Sequence, residues 1–168
     1  KIVVAGTFEH VGGRDVAGVM RLNADGSADD TFNVGGTGVD GVVTNIALQS
    51  DGKILVIGVF TPYNGTPVGQ LIRLNEDGSL DKTFKNDNTL QLDASAYEGK
   101  YEWNLQPNKL LVSSDDSFYV LGGFNRVNER FAPLIARFTA AGVHDESYLP
   151  TAHEIYFNGC YLINNINE

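Results

Sequence analysis

Side-chain oxygens recur at every second position in two short stretches. Asn23, Asp25, Ser27 and Asp29 flank Gly26, and Asn75, Asp77, Ser79 and Asp81 flank Gly78 in the same way. Oxygens spaced like this wrap a hard cation such as calcium, with Asp25, Asp29, Asp77 and Asp81 supplying the charge. The EF-hand spacing, however, sets its glycine one place later. A third version of the stretch reads Thr139, Ala141, Val143 and Asp145 around Gly142, so oxygens are lost while the glycine stays. Asn and Asp side chains also satisfy the backbone of tight turns, whose following residue needs φ > 0. A turn is therefore the preferred reading, calcium the alternative, and no cofactor is expected.

Catalytic constellations are sparse. His10, His144 and His153 fall in different parts of the chain, form no i, i+4 pair and have no neighbouring cysteine, so neither a zinc site nor a general base is built around them. Asp115-Asp116 is a pair of carboxylates, but it occupies the place that Asp51-Gly52 holds elsewhere and reads as a hairpin turn. Ser113, Ser114 and Cys160 lack the partners a nucleophile requires. The lone Cys160 excludes an internal disulfide and reads as a buried strand residue. No catalysis is expected.

Residues 85–106 hold the only tryptophan, Trp103, with Tyr97 and Tyr101, interleaved with Asp93, Glu98 and Glu102. Aromatic faces bordered by hydrogen-bonding groups suit sugars and peptides, because the faces stack while carboxylates bind hydroxyls. The same aromatics would also serve to cap a core. Both readings stand at this point.

The elements that position these groups repeat. Gly6, Phe8, Arg21, Leu22, Asp25, Gly26, Asp29 and Phe32 return 52 positions later as Gly58, Phe60, Arg73, Leu74, Asp77, Gly78, Asp81 and Phe84. A worn third copy follows 64 positions further on as Gly122, Phe124, Arg137, Phe138, Gly142, Asp145 and Tyr148. Residues 1–8 (KIVVAGTF) and 53–60 (KILVIGVF) are β-branched and apolar at successive positions, the pattern of strands buried on both faces. Near the end, residues 154–157 and 160–163 flank Asn158-Gly159, a strong hairpin signal. Units of this size with this turn spacing predict an all-β fold, a β-propeller with blades of four antiparallel strands. About three and a half blades are expected: 1–41 a partial blade, 42–84 a full blade, 85–106 an insertion loop, 107–149 a third blade and 150–168 the start of a fourth. The chain opens inside a strand, so a longer parent is expected. If strands run outward from the axis in chain order, Tyr63, Arg126 and Arg130 share a face with the insertion. With Tyr97, Tyr101 and Trp103 they form the candidate ligand site.

The run Asp51-Gly52-Lys53-Ile54-Leu55-Val56, then Gly58-x-Phe60, then Arg73-Leu74-Asn75-x-Asp77-Gly78-Ser79-x-Asp81-x-Thr83-Phe84 resembles the delta-60 repeat family of bacterial and phage propellers. The resemblance covers 1–84 closely and 107–149 loosely. It implies a propeller on a secreted, surface-attached or virion protein, and no established chemistry. Composition agrees with a globular domain, at 42% hydrophobic and 10% aromatic residues. A net charge of -9 with no basic cluster disfavours nucleic acid and anionic lipid, and no apolar run approaches the roughly 20 residues of a membrane span. The expected function is a non-catalytic extracytoplasmic binding or adhesion module for a glycan or protein ligand. The alternative is a structural assembly component, such as a phage fibre or surface-layer part, contacting other subunits. Uncovered sheet faces lead to the further expectation that the chain associates or belongs to a larger propeller.

Overall fold

The computed structural model describes residues 1–92, 106–132 and 134–148, and all their regular structure is β. In the first unit, β1 (Ile2–Ala5) precedes the short hairpin β2 (His10–Val11) and β3 (Arg14–Asp15), and β4 (Val19–Leu22) then pairs antiparallel with β1. In the second, β5 (Val39–Leu48), β6 (Ile54–Tyr63) and β7 (Leu71–Leu74) form an antiparallel sheet in that order. The strand β8 (Leu90–Gln91) follows. In the third unit, β9 (Pro107–Val112) and β10 (Phe118–Gly122) are followed by β11 (Arg126–Val127), β12 (Arg130–Phe131) and β13 (Ile135–Phe138). The main sheet there runs β9-β10-β13, while β8, β11 and β12 make a separate small one. This is an all-β arrangement of antiparallel sheets that do not close on themselves, consistent with a β-propeller fragment.

The turns form where Asp and Gly stand. Gly52 donates its N–H to the Gln49 carbonyl at 3.0 Å while Asp51 Oδ1 accepts from the Lys53 amide at 3.1 Å, closing the β5–β6 hairpin. Asp115 does the same for the Ser117 amide at 3.0 Å, and Asp116 takes the left-handed φ of 61°. The hairpin reading of Asp115-Asp116 holds.

The predicted fourth strand is shorter than the repeat suggests. After each of the turns at Gly26, Gly78 and Gly142 only a single bridge forms, Leu22 to Ala28, Leu74 to Leu80 and Phe138 to His144. A second turn follows at once, with the Phe32 and Phe84 amides donating to the Asp29 and Asp81 carbonyls at 3.1 and 3.2 Å. The chain is thereby pulled off the sheet edge, and its aromatic residue is driven inward. Phe32 and Phe84 are both buried.

Strand alternation divides the core into two seams. Ile54, Val56, Ile72 and Leu74 pack with Val19 and Phe32 of the first unit. On the opposite face, Leu55, Ile57 and Leu71 pack with Phe118, Val120 and Phe138 of the third. Strands β6 and β7 are thus covered on both faces, as successive apolar residues demand. Strand β1 departs from that expectation. Val3 and Ala5 join the first seam, but Ile2, on the other face, is 54% exposed because no sheet among the described residues covers it.

Candidate functional site

The oxygen-rich stretches are turns whose carboxylates bond to neighbouring groups of the same stretch. Asp25 Oδ1 accepts from the Ser27 amide at 3.0 Å and its hydroxyl at 2.7 Å, and Asp77 repeats this with Ser79 at 2.9 and 2.6 Å. Asp29 accepts from Arg21 Nε at 2.7 Å and from the Thr31 hydroxyl at 2.7 Å. Its copy Asp81 accepts from Arg73 Nε at 2.8 Å and from the Thr83 hydroxyl at 2.7 Å. Lys1 and Lys53 add ion pairs at 3.0 and 3.1 Å. The Thr31 hydroxyl, with Lys1 and Arg21, holds the Asp29 carboxyl well below the usual carboxylate range. Burial pushes Asp81 up, but Thr83, Lys53 and Arg73 together outweigh it and bring that carboxyl well below its usual range too. Among the described residues, no group of three or more His, Cys, Asp or Glu is placed to hold a metal ion.

These groups join neighbouring sheets. Arg21 lies 5.2 Å from the centre of the Phe32 ring and sends Nη1 across the seam to the Glu76 carbonyl at 2.5 Å. Arg73 lies 4.8 Å from the Phe84 centre and reaches the Ala140 carbonyl at 2.7 Å. Next to them, Ser50 binds Asp116 through its amide at 2.7 Å and its hydroxyl at 2.5 Å. Sequence periodicity marked these arginines as repeated without revealing that each belongs to two units.

A second joint recurs next to the first, since the Asn33 amide also donates to the Asp77 carbonyl and Asn88 Nδ2 to the Gly142 carbonyl. Asn64 Oδ1 accepts from the Gly38 amide at 2.7 Å, and its Nδ2 donates to Asn33 at 2.6 Å. Asn128, 64 positions on, accepts from the Thr89 amide at 2.9 Å and donates to Asn88 at 2.7 Å. Asn64 and Asn128 both have left-handed φ, 47° and 48°. Their partners Asn33 and Asn88 are not at one repeat interval, which hid the pairing from a sequence comparison.

Of the residues expected at the ligand site, Tyr63, Arg126 and Arg130 are among those described. Tyr63 is 1% exposed and donates its hydroxyl to the Gly78 carbonyl at 2.5 Å, so its side chain is part of the core. Arg126 donates to the Glu129 carbonyl at 2.9 Å within the β11–β12 hairpin. Arg130 stands at the tip of that hairpin, 3.5 Å from Glu146, beside Phe131, which is 66% exposed. Tyr97, Tyr101 and Trp103 lie outside the described residues, as do Cys160 and His153. Strand β8, which precedes Tyr97, Tyr101 and Trp103 in sequence, pairs antiparallel with β11. His10 pairs with Asp15 at 2.7 Å across β2–β3, a contact the sequence did not suggest, but both are exposed and among the described residues no hydroxyl or thiol hydrogen-bonds to the imidazole. His144 packs 5.5 Å from the Phe138 ring, where burial lowers its pKa.

A groove not anticipated from the sequence opens at this loop end, between the first and second units. It has a volume of about 860 Å³ and is lined by Thr7, Phe8, Glu9, Thr37, Asp40 and Val42 among others. A smaller one of about 370 Å³ continues on the other side of Asp40, past Phe60, Thr61, Gln70 and Thr89. Phe8 and Phe60 are repeat equivalents, so the two depressions are successive copies of one inter-sheet cleft. Glu9 and Asp40 are exposed, and neither has an ion-pair partner among the described residues. Their carboxylates are free to accept hydrogen bonds beside the half-buried face of Phe8.

Stacked antiparallel sheets, repeated turns and a recurrent inter-sheet joint are consistent with a β-propeller fragment. Residues 1–32 and 49–84 match the family model described as a domain of unknown function (DUF5122) beta-propeller, so over these residues the chain is similar to a propeller repeat family of unestablished function. No curated protein and no solved structure matches the chain. Among the described residues no helix is long and apolar enough to cross a membrane.

Proposed function

We propose that this chain is a non-catalytic binding or adhesion module, a segment of about three and a half propeller blades of the delta-60 type, displayed outside the cytoplasm on a cell or virion surface. The observation that carries this reading is the groove of about 860 Å³ between the first and second units, where an aromatic face, paired hydroxyls and two unpaired carboxylates converge. That combination suits a glycan: Phe8 stacks on the apolar face of a sugar while Glu9, Asp40, Thr7 and Thr37 bond its hydroxyls. A peptide with a basic side chain is the protein-ligand version of the same chemistry. Tyr97, Tyr101 and Trp103, with Arg126 and Arg130, are proposed as further members of the binding surface on the strength of their chemistry. Calcium has no role in this reading, because Asp25, Asp29, Asp77 and Asp81 serve the turns.

A glycan array and a basic-peptide array, each run in calcium and again in excess chelator, test it. Binding unaffected by the chelator and weakened about 30-fold in Asp40→Asn or Phe8→Ala is expected, the loss of a good anchor being roughly 2 kcal/mol. Asp40 is exposed, so Asp40→Asn should melt with the parent. Absence of binding on both arrays, or binding indifferent to both substitutions, would overturn the assignment. A second reading, a structural assembly component, is favoured by the uncovered apolar Ile2 on the first sheet.

A further inference from the structure

Each unit carries a two-residue hairpin at the same place in its repeat. Gly12-Gly13, Asn64-Gly65 and Asn128-Glu129 form the tips, and all of these residues have φ between 47° and 81°. Positive φ at both tip positions belongs to the tight turn whose twist matches that of the flanking strands. In the second unit Tyr63 and Thr66 close it, their amides donating to each other's carbonyls at 3.0 and 2.8 Å. Asn64 also holds the connector between the first and second units. Its amide donates to the Gly38 carbonyl at 2.8 Å, its Oδ1 accepts from the Gly38 amide at 2.7 Å, and its Nδ2 donates to Asn33 Oδ1 at 2.6 Å. The joint therefore needs a carbonyl and an amino group from one side chain. Asn128 supplies the same pair to Thr89 and Asn88.

The two asparagines differ in the residue that follows. An asparagine loses its side-chain amide when the next backbone nitrogen attacks Cγ, and glycine favours this most, having no side chain to shield that nitrogen and a backbone free to bring it close. Gly65 is exposed, its N–H has no acceptor among the described residues, and nothing lies within 4 Å of where its Cβ would sit. The turn does not demand glycine there, since Glu129 fills the position in the third unit at a φ of 68°. What restrains Asn64 is the clamp on its carboxamide, and local opening of the connector releases that clamp.

We propose that Asn64 is a self-modifying site: the chain converts it to aspartate or isoaspartate, and the product cannot rebuild the joint between the first and second units. The Gly65 nitrogen gives its proton to hydroxide and bonds to Asn64 Cγ; the Cγ–Nδ2 bond breaks, and Nδ2 takes a proton from water and leaves as ammonia. Water then opens the resulting succinimide at either carbonyl. In sum one water is consumed and one ammonia released, with no change of oxidation state. Aspartate at 64 sets a carboxylate against Asn33 Oδ1, where an amino group had been donating. Isoaspartate adds a methylene to a two-residue loop whose length fixes the hairpin register. Tyr63, the next residue back, is the one whose hydroxyl crosses the seam to the Gly78 carbonyl, so the change is felt there too. The conversion runs one way: the first joint ages while the second, with Glu129 behind its asparagine, persists.

Exchanging the following residues tests this. The parent, Gly65→Glu and Glu129→Gly are each made with Asn158→Gln, so that the other Asn-Gly pair contributes nothing, and are aged folded in mildly alkaline buffer and again in urea. Isoaspartate is located by peptide mass mapping and isoaspartyl methyltransferase labelling. In the parent the product is expected at Asn64 and not at Asn128, forming about tenfold or more faster in urea, where the clamp is gone. Gly65→Glu should abolish it, and Glu129→Gly should create a second product at Asn128. The aged parent, separated by its added negative charge, should melt below the fresh protein and exchange the Gly38 and Asn64 amide hydrogens faster. If Gly65→Glu does not fold, Glu129→Gly carries the comparison alone. Three results would each overturn the proposal: no product at Asn64 in the folded chain when the urea sample is fully converted, equal product at Asn64 and Asn128 of the parent, or an aged fraction that melts and exchanges like the fresh protein.

Discussion

Gly26 and Gly78 share a φ of 84° and Gly142 has 81°, yet the three glycines are there for different reasons. Left-handed backbone costs an L-residue roughly 1–2 kcal/mol wherever it occurs. At Gly26 that is the whole requirement, because the space beyond is open. A Cβ on Gly78 would sit 2.9 Å from the Phe32 ring, and on Gly142 it would overlap the Phe84 ring. Gly26→Ala should therefore lower stability by about 1–2 kcal/mol, and Gly142→Ala by about 1–3 kcal/mol more through overpacking. Gly78→Ala should fall between. Urea unfolding of the three variants checks the order, and equal losses would show that the seam aromatics do not press on these turns. Repeats conserve the turn glycine for its φ, and the seam then makes use of the missing side chain.

At the scale of elements, the arginines on β4, β7 and β13 measure how completely each sheet is joined to the next. Arg73 sits at the centre of the network, its guanidinium bonded to Asp81, Gln49 and Ala140, and both members of the Arg73–Asp81 pair are buried. Removing one partner of a buried pair typically costs about 3–5 kcal/mol, because the other charge is left without compensation. Arg137 makes a 3.4 Å contact from a partly exposed position, where pairs contribute about 0–1 kcal/mol. Arg73→Met should thus destabilise by at least about 2 kcal/mol more than Arg137→Met in denaturant titrations. Comparable losses would mean that the inter-sheet bonds of Arg73 contribute little.

For the whole molecule, the acid limb of stability follows from the same carboxylates. Asp29 and Asp81 are held below their unfolded value of about 3.9, so their stabilisation is complete above that pH and is lost as pH falls below it. His144 works in the same direction earlier. Burial lowers its pKa, so the unfolded chain takes up a proton first, below about pH 6.5. The melting temperature should be flat down to about pH 7, dip slightly between pH 6.5 and 5, and fall steeply below pH 4. His144→Gln should remove the dip. Relief of the -9 net charge on acidification acts the other way, but at physiological salt a Debye length of about 8 Å screens most of it. A melting temperature that rises below pH 4 would contradict the assignment of these aspartates.

What the sequence determined by itself is whatever local chemistry imposes: the hairpins at Asp51-Gly52 and Asp115-Asp116, the two-sided burial of β6, and the repeat that makes the second and third units copies of the first. Backbone preference at Asp-Gly and alternation along a strand act over a few residues, and each can be read from those residues alone. Tertiary structure decided the rest, because it depends on which unit lies beside which. The same apolar pattern is buried on both faces in β6 and on one in β1, since only neighbours supply cover. Tyr63 went to the core because a carbonyl from the Gly78 turn was waiting for its hydroxyl. The Asn33–Asn64 and Asn88–Asn128 pairs, and the groove beside Asp40, exist only where consecutive units meet, across sequence separations that no periodicity encodes.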